Sequence, residues 1–192
     1  MSSQRTTKKY KVYLFVYDLS YGAMNNLSPY ILGCNVNGLW HSSIVIGYKP
    51  QPTECYFSNQ TGMSGCRPGR YNKGMKPTRK IYMGLTEIKP AVFIEYIRGI
   101  EHRYRSIDYS LTRHNCNSFS NELCQFLLGK EIPDYIKNIC TEVLNTPTGQ
   151  EIKPVVEFCQ DIADGCQNLL EMYLKLSIHL NLLIFLDSFL HL

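Results

Sequence analysis

No two of the eight cysteines, at positions 34, 55, 66, 116, 124, 140, 159 and 166, are spaced as C-x-x-C. That spacing supplies the paired ligands of zinc knuckles and the active dithiol of thioredoxin-type proteins, so both classes are excluded and no cofactor or metal is expected. The first nine residues contain no apolar h-region followed by a small-residue cleavage site. Free thiols in a reducing compartment follow as the expectation, cytoplasmic and extending to the nucleus, and the sequons at Asn26 and Asn59 become chance matches. Acidic residues are missing from the opening segment, where Arg5, Lys8, Lys9 and Lys11 carry the whole formal net charge of +4. They are missing again between Arg67, Arg70, Lys73, Lys76, Arg79 and Lys80. Such a run attracts acidic surfaces, although a solvated loop accounts for it as well. No nucleic-acid motif accompanies the charge, so a nucleic-acid partner is not expected. Internal repeats and low-complexity tracts are absent too.

Long apolar runs are also missing. Residues 169–192 are rich in leucine, isoleucine and phenylalanine, yet their longest unbroken run is Leu182–Leu186. A membrane-spanning helix needs about 18 or more consecutive apolar residues. A membrane-surface helix, a partner-binding helix or a helix packed on the domain fits this tail better than a spanning anchor.

What is present is a core-forming chain of 192 residues, 44% hydrophobic, with 14 tyrosines against one tryptophan. Its length suggests one domain plus an extension. The residues divide as a basic N-terminus over 1–9, a domain over 10–152 and a helical apolar extension over 153–192. Within the domain, residues 10–17 form an uninterrupted β-branched and aromatic run, a buried strand. Ser28, Pro29 and Gly33 predict a short helix with serine at its N-cap and proline at its first position. Residues 39–48 predict a second strand, and Glu54–Asn59 a third, paired to it as a hairpin. Residues 60–78 read as a long Gly-, Pro- and Lys-rich loop. Lys80–Lys89 is a further strand, and Pro90 opens a helix with Val92, Phe93, Tyr96, Ile97 and Ile100 at helical spacing. A tyrosine-rich connection, 104–114, leads to a helix in which Phe119, Leu123, Phe126 and Leu127 share one face, closed by Gly129. Ile132–Asn145 predicts another helix with Pro133 in its first turn, broken at Thr146-Pro147.

Two residues carry reactive chemistry in suggestive places. Cys116 stands where a loop turns into the amphipathic helix, on its inward face. His41 stands in a strand. The free amides and dipole of a helix start favour a thiolate, and a nearby imidazolium favours it more. An ion pair between Cys116 and His41 would hold the nucleophile ready, with His41 later protonating the leaving group and the Cys116 amide forming half of an oxyanion hole. Each residue alone has an ordinary structural explanation: a small core cysteine, a hydrogen-bonded strand histidine. His114 reads as a loop-ordering residue, His102 as a cap, and His179 and His191 as tail residues. Asp18 reads as a strand-end turn residue rather than a third catalytic member.

Several ordered motifs surround the pair: Val16-Tyr17-Asp18-Leu19-Ser20, Leu27-Ser28-Pro29, Gly38-Leu39-Trp40-His41-Ser42-Ser43-Ile44-Val45 and His114-Asn115-Cys116-Asn117-Ser118-Phe119-Ser120-Asn121-Glu122. Ile132-Pro133-Asp134-Tyr135-Ile136 and Thr146-Pro147-Thr148-Gly149-Gln150 continue them. Over residues 10–152 this set resembles the PPPDE family, the desumoylating isopeptidases. The resemblance implies an α+β fold, a circularly permuted papain-like peptidase with an antiparallel sheet packed against helices. It implies a Cys–His dyad carried by Cys116 and His41, and cleavage of the isopeptide bond joining SUMO or ubiquitin to lysine. It also implies a homodimer as one way of building the site. The apolar tail departs from the family pattern. The asparagine-cysteine-x-x-phenylalanine pattern with histidine first also resembles the lecithin–retinol acyltransferase group. A lipid-directed thiol hydrolase, such as a protein depalmitoylating thioesterase reaching membranes through its tail, is therefore the alternative. A non-catalytic adaptor that kept the fold is a third.

Overall fold

The computed structural model describes residues 8–71, 75–151 and 153–154. The described chain divides into two compact units, one of residues up to Tyr21 together with Leu39–Cys140, the other of Gly22–Gly38 with the chain from Thr141 onward. The tail over 169–192, with His179 and His191, lies outside the described residues, as do Lys73 and the first seven residues.

The first unit is built on a five-stranded antiparallel sheet of order β4-β3-β2-β1-β5. The strands are β1 (Tyr10–Asp18), β2 (Trp40–Ile46), β3 (Thr53–Ser58), β4 (Gly62–Cys66) and β5 (Arg79–Thr86). Strand β1 pairs with both β2 and β5 and lies buried along its second half, as its unbroken apolar run requires. The β2–β3 hairpin is as expected, with Ile44 opposite Cys55 and Ile46 opposite Thr53. The segment 60–78, expected to be a loop throughout, contains β4. Glycines at 62 and 65 weaken the sequence signal for a strand there, but pairing with β3 from Ser58↔Gly62 to Glu54↔Cys66 outweighs propensity.

Helix α1 (Ala23–Leu32) belongs to the second unit and begins earlier than the Ser28-Pro29 signal suggested. Gly22 at φ 87° and Gly33 at φ 69° cap it in left-handed conformations. Pro29 lies inside it, and the Ser28 hydroxyl accepts from the Val36 amide (2.8 Å) instead of capping. The motif around Thr146 also has a local cause. Its hydroxyl oxygen accepts from the Gly149 amide (3.0 Å), and Pro147 then opens a helical turn over 147–151. A Cβ on Gly149 would lie 2.0 Å from the Val143 carbonyl oxygen, so only glycine fits.

In the first unit, α2 (Pro90–Ile100) starts at its proline as expected. Helix α3 (Cys116–Leu128) ends at Gly129, φ 66°, and packs on β2, β3 and β5. It buries Phe119, Leu123 and Leu127, while Phe126 stacks on Tyr96 of α2 at 3.6 Å between ring centroids. Burial of each such side chain is worth about 1.5–3 kcal/mol before entropy is counted. The single helix expected over 132–145 is two: α4 (Asp134–Lys137) and α5 (Ile139–Leu144), separated at Asn138. The mixed α/β architecture, with an antiparallel sheet and helices, is the class expected from sequence.

Candidate active site

Helix α3 begins at Cys116 because Asn115 stops the extended chain and caps it. The Asn115 side-chain oxygen accepts from the amides of Asn117 (2.9 Å) and Ser118 (3.0 Å), while the Ser118 hydroxyl accepts from the Asn115 amide (2.8 Å). This reciprocal capping satisfies amides that a helix start leaves bare. The Asn115 side-chain Nδ2 donates back to the Leu111 carbonyl at 2.7 Å, tying the preceding loop to the helix. Cys116 is thus the first helical residue, and it is buried.

Asn117 fixes the helix start against the sheet. Its nitrogen donates to the carbonyls of Trp40 (3.0 Å) and Ile136 (2.9 Å), and its oxygen accepts from the Ser42 hydroxyl at 2.7 Å. One fully buried amide therefore locks α3 to the start of strand β2 and to α4. The Cys116 thiol points toward the same oxygen at 3.7 Å, and the Tyr109 hydroxyl reaches the sulfur at 3.9 Å. Burial pushes the thiol above its ordinary range. The Ser42 amide, the Tyr109 hydroxyl and the amides of Asn117 and Cys116 act in the opposite sense. The influence of the Ser42 amide places the sulfur against the residue next to His41.

His41 is buried on β2 opposite Tyr17 of β1. Its ring stacks on Tyr71 at 4.1 Å, with the planes 6° apart. Burial lowers its pKa to about 3, so the imidazole is neutral throughout the physiological range. Among the described residues its Nε2 has no hydrogen-bond partner. Beneath the Tyr71 segment, the buried Glu54 carboxylate accepts from Tyr17 Oη (2.5 Å), Ser43 Oγ (2.6 Å) and the Gly69 amide (2.7 Å). Glu54 thereby anchors to the sheet the segment that brings Tyr71 over His41.

The Cys116 thiol is influenced by the Ser42 amide of β2, the strand that carries His41 one residue earlier. The Cys116 and His41 side chains are not hydrogen-bonded to each other here. Burial disfavours both the thiolate and the imidazolium, and so works against the charge-separated pair expected from sequence. Asp18 serves the turn: its carboxylate accepts from the Ser20 amide (2.9 Å), the Ser20 hydroxyl (2.6 Å) and the Leu39 amide (3.2 Å). His114 orders its loop, with Nδ1 at 3.1 Å from the Asp108 carbonyl and its ring stacked on Tyr104. Sequence reasoning missed Asn117, Tyr109, Tyr71 and Glu54. Asn117 and Tyr109 lie within or just before the cysteine motif, but nothing local signals which partners a side chain finds across the fold. No group of three or more potential metal ligands occurs among the described residues.

A buried thiol at a capped helix start, with a buried histidine on the strand that the helix packs against, fits a cysteine-type hydrolase. Comparison with known sequences gives the class. Residues 10–157 match the family model described as "PPPDE putative peptidase domain". Desumoylating isopeptidase 1 of Rattus norvegicus and of Homo sapiens are each 42% identical to this chain over 152 residues, covering 79% of it and 87% of the relative. Desumoylating isopeptidase 1 of Xenopus laevis is 41% identical over 150 residues, 78% of this chain and 85% of the relative. The chain belongs to the PPPDE peptidase family and is a cysteine-type peptidase.

Proposed function

We propose that this protein is an isopeptidase that removes SUMO from lysine side chains of conjugated proteins, with Cys116 as nucleophile and His41 as general base and acid. The observation that supports the residue assignment is Cys116 at the capped start of α3, its thiol under the influence of the Ser42 amide, together with the unpartnered Nε2 of His41, the residue before Ser42 in the chain. A buried polar atom without a partner costs about 1–3 kcal/mol, and a catalytic task accounts for its retention. The names of the relatives supply the modifier.

With a neutral pair at rest, proton transfer accompanies attack. As the Cys116 sulfur adds to the isopeptide carbonyl, its proton passes to His41 Nε2. The oxyanion develops beside the backbone amide of Cys116 at the start of α3. The imidazolium then gives its proton to the departing lysine amine, leaving a thioester between Cys116 and the modifier's C-terminal carboxyl. Water, deprotonated by His41, cleaves that thioester and restores the thiol. The dyad arrangement belongs with the permuted papain-like order in which histidine precedes cysteine. Hydrogen bonds of this kind commonly tighten only when substrate is bound.

The assignment is tested by cleavage of a SUMO-conjugated protein. Cys116→Ala and His41→Ala are expected to lose cleavage while keeping the wild-type circular dichroism spectrum. Undiminished cleavage by either variant refutes the dyad.

A further inference from the structure

We infer that Tyr109 is a further catalytic residue, a fixed hydrogen-bond donor to the Cys116 sulfur that stabilises negative charge on it during attack and release. The inference rests on the assignment of Cys116 as nucleophile and extends it to a group outside the dyad.

Tyr109 follows the short turn Ser106–Asp108, six residues before the Asn115 cap. Its ring packs on Phe57 of β3 at 5.0 Å between centroids. Phe57 is itself fully buried and also touches Tyr104, His114 and Phe119, so the position of the Tyr109 ring is fixed by the core. From that position its hydroxyl reaches the Cys116 sulfur at 3.9 Å, within the range of O–H···S contacts and long for a strong one. A neutral thiol is a weak acceptor. A thiolate is a far better one, and hydrogen bonds to charged groups are both shorter and stronger. The contact is therefore one that gains strength as charge builds on sulfur, which is the differential binding that lowers a barrier.

The chemistry of the phenol fits a donor and not a base. Burial, and then the neighbouring Cys116 and Cys140 thiols, raise its pKa well above that of a free tyrosine. The proton consequently stays on Tyr109 at every pH at which the enzyme works. His41 moves the proton; Tyr109 keeps its own and only points it at the sulfur. No bond to Tyr109 is made or broken. The pair divides labour that a preformed ion pair would otherwise combine, which suits a site where burial opposes a resting thiolate.

The replacement Tyr109→Phe removes one oxygen and leaves the ring that packs on Phe57. Two readouts on the full-length protein test the role. The first is the pH dependence of Cys116 alkylation by iodoacetamide, followed at that residue by peptide mass spectrometry, which needs no substrate. The second is kcat/KM on a SUMO-conjugated protein. The expected result is an alkylation midpoint higher by about one to two pH units and a kcat/KM lower by roughly 10- to 100-fold, with the loss in kcat. An unchanged alkylation midpoint overturns the proposal, even if activity falls, because a merely structural tyrosine would impair turnover without moving the titration of the thiol. Should wild-type protein fail to cleave any conjugate while the midpoint still shifts in Tyr109→Phe, the proposed function fails and the donor role stands.

Discussion

Burial gives His41 an acid–base character far from that of a surface imidazole. Its pKa of about 3 in the folded protein, against 6.5 for the free side chain, makes stability depend on pH in a definite direction. Between those two values the unfolded chain binds a proton that the folded protein does not, so stability falls as pH drops from about 6.5 towards 3 and is fully present above 6.5. The limiting slope for one such group is about 1.4 kcal/mol per pH unit. In urea unfolding series over that window, His41→Gln is expected to show a shallower decline than wild type; parallel curves would show that another group carries the dependence. Cys116 gives the complementary expectation. A thiol raised above 9.0 by burial should alkylate at a rate that climbs through pH 9, without the plateau at neutral pH that marks a preformed thiolate–imidazolium pair.

At the scale of elements, Asn117 joins three of them with one side chain. Asn117→Ala leaves the carbonyls of Trp40 and Ile136 and the hydroxyl of Ser42 without this partner in a buried site. A loss of about 2–4 kcal/mol is expected, read as a lower denaturation midpoint at constant m-value. A change within 0.5 kcal/mol would remove Asn117 from the account of how α3 is seated. Gly149 makes a different kind of link, through the closeness of its backbone to the Val143 carbonyl. Gly149→Ala should cost about 1–3 kcal/mol by forcing those backbones apart, measurable in the same experiment. The elements also show what a sequence can and cannot reveal. Strands β1 and β2, the Pro90 helix and the cysteine helix with its Gly129 stop were all legible, because hydrophobic periodicity and terminal residues act locally. Strand β4 was not, since its glycines carry no strand preference and only its partner β3 defines it. The start of α1 was misread because Ser28 and Pro29 form a familiar N-terminal signal, whereas the serine hydroxyl is used by the Val36 amide.

On the scale of the whole molecule, the family and the fold class could be read from ordered motifs. The supporting groups could not. Tyr71 over His41, Glu54 beneath it and Tyr109 at the sulfur come from separate parts of the chain and meet only through the sheet topology. The extent of burial was likewise beyond the sequence: a helix start and an imidazole both favour a thiolate, while desolvation works against it. The proposed chemistry is a Cys116 thiol ionised on demand, attacking an acyl group delivered by a ubiquitin-like modifier. The most direct measurement is reaction of the full-length protein with SUMO carrying a C-terminal vinyl sulfone, with the adduct mapped by mass spectrometry in wild type, Cys116→Ala and His41→Ala. The account predicts a single adduct on Cys116 in wild type, none in Cys116→Ala and strongly slowed formation in His41→Ala. No adduct in wild type, or an adduct on any other cysteine, would contradict it.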